Sequence, residues 1–188
     1  MTQDIFSNLE LLHDSRPDPQ TSGIYRMVMI AQETLQPAAW ELLAGGYHLE
    51  DVSALDATEG FLVTYHFDSF GRPAGSDSIL RMALRVLVDH GQPHLPSIAD
   101  IFSGAEWHER EISDFFGIRF DGNPNPAALL LPEADDSTPL KKAPDKRRSL
   151  KDLICPGQVV FKAPGVELWD ADPQPATGTS RQPDHEQG

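Results

Sequence analysis

Residues 61–68 read FLVTYHFD, and their alternation decides the fold. Successive side chains of a strand point to opposite faces. Phe61, Val63, Tyr65 and Phe67 therefore share one face, with Thr64, His66 and Asp68 on the other. Residues 80–89, LRMALRVLVD, repeat the pattern: Leu80, Met82, Leu84, Val86 and Val88 stand opposite Arg81, Arg85 and Asp89. The connecting SFGRPAGSDS has the composition of a loop. Two alternating runs joined in this way predict an antiparallel pair with one buried face.

Working outward, Ile24–Ile30 (IYRMVMI) predicts a strand, and Tyr47–Leu55 predicts another. Gln36–Ala44 predicts a helix, with Pro37 where a first-turn proline is tolerated and Gly45-Gly46 at its end. Helices on one side are the usual cover for such a sheet. The expected fold is α+β: a two-layer domain over 22–145 with a mixed, largely antiparallel sheet covered by helices on one face. Residues 1–21 are polar with one short apolar patch, and 163–188 are rich in Pro, Asp, Gln and Gly. Both are expected as flexible tails, because such segments bury too little apolar area to offset chain entropy. An extended basic arm is expected to open the region 146–188.

The chain has 188 residues and a formal charge of −14. Length points to one domain. The charge argues against nucleic acid as a partner, since phosphate binding wants a basic face. A single cysteine, Cys155, excludes an internal disulfide and a cysteine-ligated cluster built by this chain alone. No stretch has the pattern of a signal peptide, and no run approaches the ~20 apolar residues of a membrane span. Membrane contact is therefore expected to be indirect.

Chemical motifs are sparse. The phosphate-cradling, dinucleotide-binding and serine-hydrolase glycine motifs are all missing. His90 and His94 have the spacing of two helical metal ligands, but Gly91 and Pro93 favour a strand-end loop. Cys155 lacks an evident base nearby and reads as a buried or half-buried thiol. The segment 141–151, KKAPDKRRSLK, holds six of the fifteen Lys and Arg residues. It is either a solvated loop or a docking arm for an acidic partner or lipid surface.

Residues 105–120, AEWHEREISDFFGIRF, concentrate charge and aromatics. Ser103-x-x-Glu106 predicts a capping box with a helix from Gly104, and Gly117 predicts its stop. Projected at ~100° per residue, Ile112, Phe115 and Phe116 cluster, with Trp107 extending the arc. Glu109, Arg110 and Ser113 fall opposite. Glu106, Arg110 and Asp114 form a ladder of pairs four apart, worth only ~0.3–0.5 kcal/mol each. Glu111 projects among the aromatics beside His108. A buried carboxylate needs a partner, supplied by His108 or by a basic residue from elsewhere in the chain or another subunit. A free-standing acid/base enzyme using Glu111 and His108 is the rival reading.

The string Glu109-Arg110-Glu111-x-x-Asp114-x-Phe116-Gly117-Ile118 is followed by Phe120-x-Gly122-x-Pro124, Leu130-Leu131-Pro132-Glu133 and Pro139-Leu140-Lys141-Lys142. Together these resemble the 30 kDa subunit family of the NADH:quinone oxidoreductase of respiratory complex I. The homologous subunit of energy-converting nickel-iron hydrogenases shares the pattern. The resemblance covers roughly 24–145. It implies an α+β domain without cofactor or active site of its own, peripheral on the cytoplasmic face of the membrane. The implied partners are a large hydrogenase-like subunit and a small iron–sulfur subunit, which would hold the iron–sulfur clusters and the FMN or nickel-iron centre. The inferred contact residues are Trp107, Glu109, Arg110, Glu111, Asp114, Phe116, Gly117, Pro139, Leu140, Lys141 and Lys142.

The chain departs from that family at Asn123, where a histidine is typical, and at Ala127-Ala128, where basic residues are. Lys141-Lys142-Ala143 also replaces an Arg-Lys-Asp run. The loop between Pro124 and Leu140 is therefore expected to meet a different partner surface.

Overall fold

A computed structural model describes residues 4–69, 81–132, 135–153, 161–163 and 166–168. In chain order these form β1 (His13–Ser15), α1 (Pro19–Ser22), β2 (Arg26–Met29), α2 (Leu35–Ala44), β3 (Tyr47–Ala57), β4 (Gly60–Ser69) and β5 (Met82–Val88). There follow β6 (His94–Pro96), α3 (Ala105–Phe116), β7 (Arg119–Asp121), α4 (Leu150–Leu153), β8 (Phe161–Ala163) and β9 (Val166–Leu168).

The alternating runs pair as expected. β4 and β5 are antiparallel, with Phe61 opposite Val88 and Phe67 opposite Met82. β3 adds to β4 on the other side, with a bulge between Leu49 and Asp51. The five-stranded sheet has the order β1-β2-β5-β4-β3, and β2 lies parallel to β5, so the sheet is mixed. Phe61, Val63, Tyr65 and Phe67 are fully buried on the face that α2 and α3 cover. From α2 that core receives Leu35, Ala38, Ala39 and Leu42, which recur at helical spacing.

The second face is not the exposed one that alternation suggested. Leu62, Thr64, Met27, Met29 and Ala83 are buried there. Part of the cover is α4, whose Leu150 packs with Met29, Ala57 and Leu62.

The N-terminal segment is also ordered where a flexible tail was expected. Phe6 is buried in the core, and β1 pairs with β2. The cause is Arg26, which donates to both Asp4 and Asp14 while stacking 5.1 Å from the Phe6 ring centroid. Local polarity concealed these contacts, which join residues 12 and 22 positions apart.

Of the expected C-terminal tail, only Ala163 and Val166–Leu168 are described, within the antiparallel β8–β9 pair. Residues 70–79 of the β4–β5 linker, Leu80, Glu133 and Cys155 lie outside the described residues. No helix among the described residues is long and apolar enough to cross a membrane.

Candidate functional site

The charged motif lies on α3, and its roles differ from the projected ones. Ala105, Glu109, Ile112 and Phe116 are the buried residues. At ~100° per residue they fall within about 60° of arc. Trp107 is 62% exposed, so including it in the apolar arc rotated the projection. The buried carboxylate is consequently Glu109 and not Glu111. Glu109 is 0% exposed, whereas Glu111 is half-buried.

Glu109 reads the start of the segment before α3. It accepts from Ser97 Oγ (2.6 Å), the Ile98 amide (2.9 Å) and Asn123 Nδ2 (2.8 Å). Burial pushes its carboxyl above the ordinary range, against the lowering effect of those three donors. Ser97 also accepts, through its carbonyl, a bond from Gln36 on α2. Glu109 thus ties α3, the 97–98 turn and the 123 loop together. Its partners are neutral, so the subunit-supplied counter-charge expected for a buried acid is not required there.

The helix begins without the predicted capping box. Gly104 is the N-cap with no side-chain bond, and Glu106 N–H meets the Ser103 carbonyl at 3.4 Å. The predicted stop does form. Gly117 takes φ 72° and returns its N–H to Ser113 O.

Arg110 and Asp114 serve the loop that follows β7. Arg110 donates to the carbonyls of Ala127 and Ala128 and pairs with Glu106 at 3.2 Å. Asp114 Oδ2 accepts from the consecutive amides of Leu129, Leu130 and Leu131 at 2.9, 2.7 and 3.1 Å. Burial pushes this carboxyl up, but the three amides and Arg110 outweigh it and hold it below its ordinary range. Trp107, Arg110 and Asp114 are spaced i, i+3, i+7, one flank of the helix, and the Arg110 guanidinium lies 5.9 Å from the Trp107 ring centroid. The exposed charge ladder of the projection is therefore a clamp.

The segment after the loop is strapped down. Leu140 N–H bonds Phe115 O, and Lys142 N–H bonds Asp56 at the end of β3. Asp56, whose side chain is 0% exposed, also pairs with Arg147 Nε (3.0 Å) and His90 Nε2 (2.7 Å). Glu59 accepts from Ser149 and the Leu150 amide. The segment 141–151 is not the extended arm that its prolines suggested. It holds a 3₁₀ turn at Pro144–Lys146 and ends in α4, with Lys141, Lys146 and Arg148 left exposed.

The remaining candidates separate in space. His90 belongs to Asp56, while His94 meets Asp121 at 3.2 Å. His108 faces Asp51 of β3 at 3.7 Å, so the acid/base pair with Glu111 is not assembled. Phe116 is buried edge-on to Phe61, and Pro139 and Lys141 are exposed. Among the described residues no group of three His, Cys, Asp or Glu side chains could hold a metal ion. A cleft of ≈ 230 Å³ lies between α3 and β7, lined by Arg110, Ser113, Arg119, Phe120 and Asn123 over Glu109. It is smaller than the ~300–1,000 Å³ of ordinary ligand sites. Beside Lys141, the motif leaves three large apolar side chains pointing outward: Trp107, Leu130 (57% exposed) and Leu140 (51%).

The sequence pattern of the respiratory-chain NADH dehydrogenase 30 kDa subunit is matched by residues 28–149. The J subunit of the NAD(P)H-quinone oxidoreductase of Prochlorococcus marinus is 30% identical over 128 residues, covering 66% of this chain and 71% of that protein. The J subunit of a Synechococcus species is 39% identical over 87 residues, 45% of this chain and 48% of that one. The C/D subunit of the NADH-quinone oxidoreductase of Methylococcus capsulatus is 39% identical over 82 residues, 44% and 13% respectively. The chain thus spans about half the length of the Synechococcus relative. Among solved structures, the membrane-bound sulfane sulfur reductase, an archaeal respiratory membrane complex, shares the fold at a TM-score of 0.56 and 17% identity, over 73% of this chain and 76% of that one. The matched residues extend from β2 past α3 to the strap that Asp56 and Glu59 hold, and the chain belongs to the respiratory-chain NADH dehydrogenase 30 kDa subunit family.

Proposed function

We propose that the chain is a non-catalytic peripheral-arm subunit of a complex I-like NADH:quinone oxidoreductase. In this reading it supports assembly, and electron transfer to quinone, by docking the large hydrogenase-like subunit and the small iron–sulfur subunit. The observation that carries it is how the motif is spent. Glu109, Arg110 and Asp114 are consumed in holding the chain's own loops, and the surface so shaped presents Trp107, Leu130 and Leu140. Exposed aromatic and apolar side chains on a rigid support are what an anchoring surface needs.

The double designation C/D of the Methylococcus relative, of which the match covers 13%, supports a large-subunit neighbour for this domain. Iron–sulfur clusters, and FMN or a nickel-iron centre, then belong to partner subunits. The chain sits at the cytoplasmic face and meets the membrane only through the complex. Purification of the tagged full chain from native membranes tests the proposal. Recovery with a large hydrogenase-like subunit and an iron–sulfur protein is expected, and recovery of the chain alone overturns it.

A further inference from the structure

We propose that Glu111 and Trp107 form a receptor for one arginine side chain of a partner subunit, whose guanidinium pairs with the carboxylate and stacks on the indole. The inference rests on the subunit reading above and deepens it by assigning the partner's chemistry at the α3 flank.

Of the four carboxylates on α3, three are engaged by the fold. Glu106 pairs with Arg110, Glu109 accepts from Ser97, Ile98 and Asn123, and Asp114 accepts from three backbone amides. Glu111 has neither a hydrogen bond nor an ion pair among the described residues. His108, three positions earlier, is turned to Asp51 on β3. Lys141 holds its ammonium 5.9 Å from the Phe61 ring centroid.

The flank around Glu111 is open. At ~100° per residue Glu111 falls about 40° from both Trp107 and Phe115, and about 130° from the middle of the buried arc of Ala105, Glu109, Ile112 and Phe116. Trp107 is 62% exposed. The cation that lies near its ring, Arg110 at 5.9 Å, is already engaged by Glu106 and by the carbonyls of Ala127 and Ala128. Leu130 and Leu140, tied to the helix through Asp114 and the Phe115 carbonyl, are each more than half exposed.

Charge selects the occupant. Residues 129–140, which carry both leucines, contain Glu133, Asp135 and Asp136 and no lysine or arginine. A carboxylate one helical turn from an exposed indole, ~5–6 Å between Cβ atoms, matches a guanidinium twice. It accepts two parallel hydrogen bonds from the planar fork, while the ring face takes the stacked cation. An ammonium pairs as a point charge without that planar fit. Leu130 and Leu140 stand at the edge of the pair, where apolar contact excludes water from it.

The experiment compares Glu111→Gln and Trp107→Leu with wild type, as isolated full chains and in the complex recovered from membranes. In the isolated chain both are expected to keep Tm within about 2 °C of wild type, because neither side chain holds the fold. In the complex the assembled fraction of Glu111→Gln is expected to fall about tenfold, with Glu111→Asp intermediate. Trp107→Leu, which keeps an apolar contact and removes the ring face, is expected to lose about threefold. Phenylglyoxal labelling of arginines, read by peptide mass, is expected to spare one arginine of a partner subunit in the wild-type complex and to modify it in the Glu111→Gln complex. Carbodiimide coupling of Glu111 to a partner lysine would put an ammonium in that place and overturn the proposal. A Glu111→Gln Tm well below wild type in the isolated chain would show the carboxylate engaged within the fold, and overturns it too. If Glu111→Gln assembles as well as wild type, the proposal fails while the subunit reading stands. A wild-type chain that enters no complex overturns the subunit reading, and this inference with it.

Discussion

Glu109 and Asp114 lie on the same helix and titrate in opposite senses. The folded pKa of Glu109 is raised by burial. Its stabilising contribution is therefore fully present below the ordinary glutamate pKa of ~4.3 and is lost as pH rises through the folded value. Asp114 is held below its ordinary range by backbone amides. Its contribution is present above ~3.9 and is lost as pH falls through the lower folded value. Thermal unfolding between pH about 3 and 8 should show both signs. Glu109→Gln gains on wild type as pH rises, and the deficit of Asp114→Asn shrinks as pH falls; parallel curves for all three proteins would contradict the assignment. At Gly117 the constraint is geometric. With φ at +72°, and an added Cβ placed 3.2 Å from Thr138 Cγ2, Gly117→Ala is expected to cost about 1–2 kcal/mol in chemical denaturation. The turn at Gly117 was legible from the sequence because glycine at a helix end has a local cause. The burial of Glu109 was not, because an exposed tryptophan and a buried glutamate invert the usual rule of projection.

At the scale of elements, the strands and α2 declare themselves through period and punctuation. The strap does not. Its anchors join residues 86 to 91 positions apart, and a basic, proline-containing run carries no local sign of the carboxylates waiting at Asp56 and Glu59. β1 escaped for a related reason: three residues at a sheet edge are too short to show alternation. Asp56, its own side chain closed to solvent, gathers the Lys142 N–H and the half-buried Arg147 and His90 side chains. Removing one member of a buried ionic cluster typically costs ~3–5 kcal/mol. Asp56→Ala is expected to destabilise the chain by about 3 kcal/mol and to speed tryptic cleavage between Lys141 and Arg148 about tenfold. Cleavage at the wild-type rate would mean that the strap is held by something other than Asp56.

For the whole molecule, the resemblance carried by residues 109–118 anticipated the family, and the family match over 28–149 agrees closely with the 24–145 expected. Function followed from the motif only through structure. Charges that read as a catalytic cluster or a subunit ladder turn out to brace loops, and the surface they brace presents Trp107, Leu130 and Leu140. Trp107 and Leu140 contribute little to the isolated fold, since both are more than half exposed. Their replacement should leave unfolding within about 0.5 kcal/mol of wild type. The most direct test of the account is therefore the assembled fraction of the Trp107→Ala, Leu140→Ala double variant, measured on native gels of solubilised membranes beside the Tm of the isolated chain. A wild-type Tm with a several-fold loss of assembled complex is the predicted result. A wild-type Tm with undiminished assembly would contradict the claim that this face docks the chain to its partners.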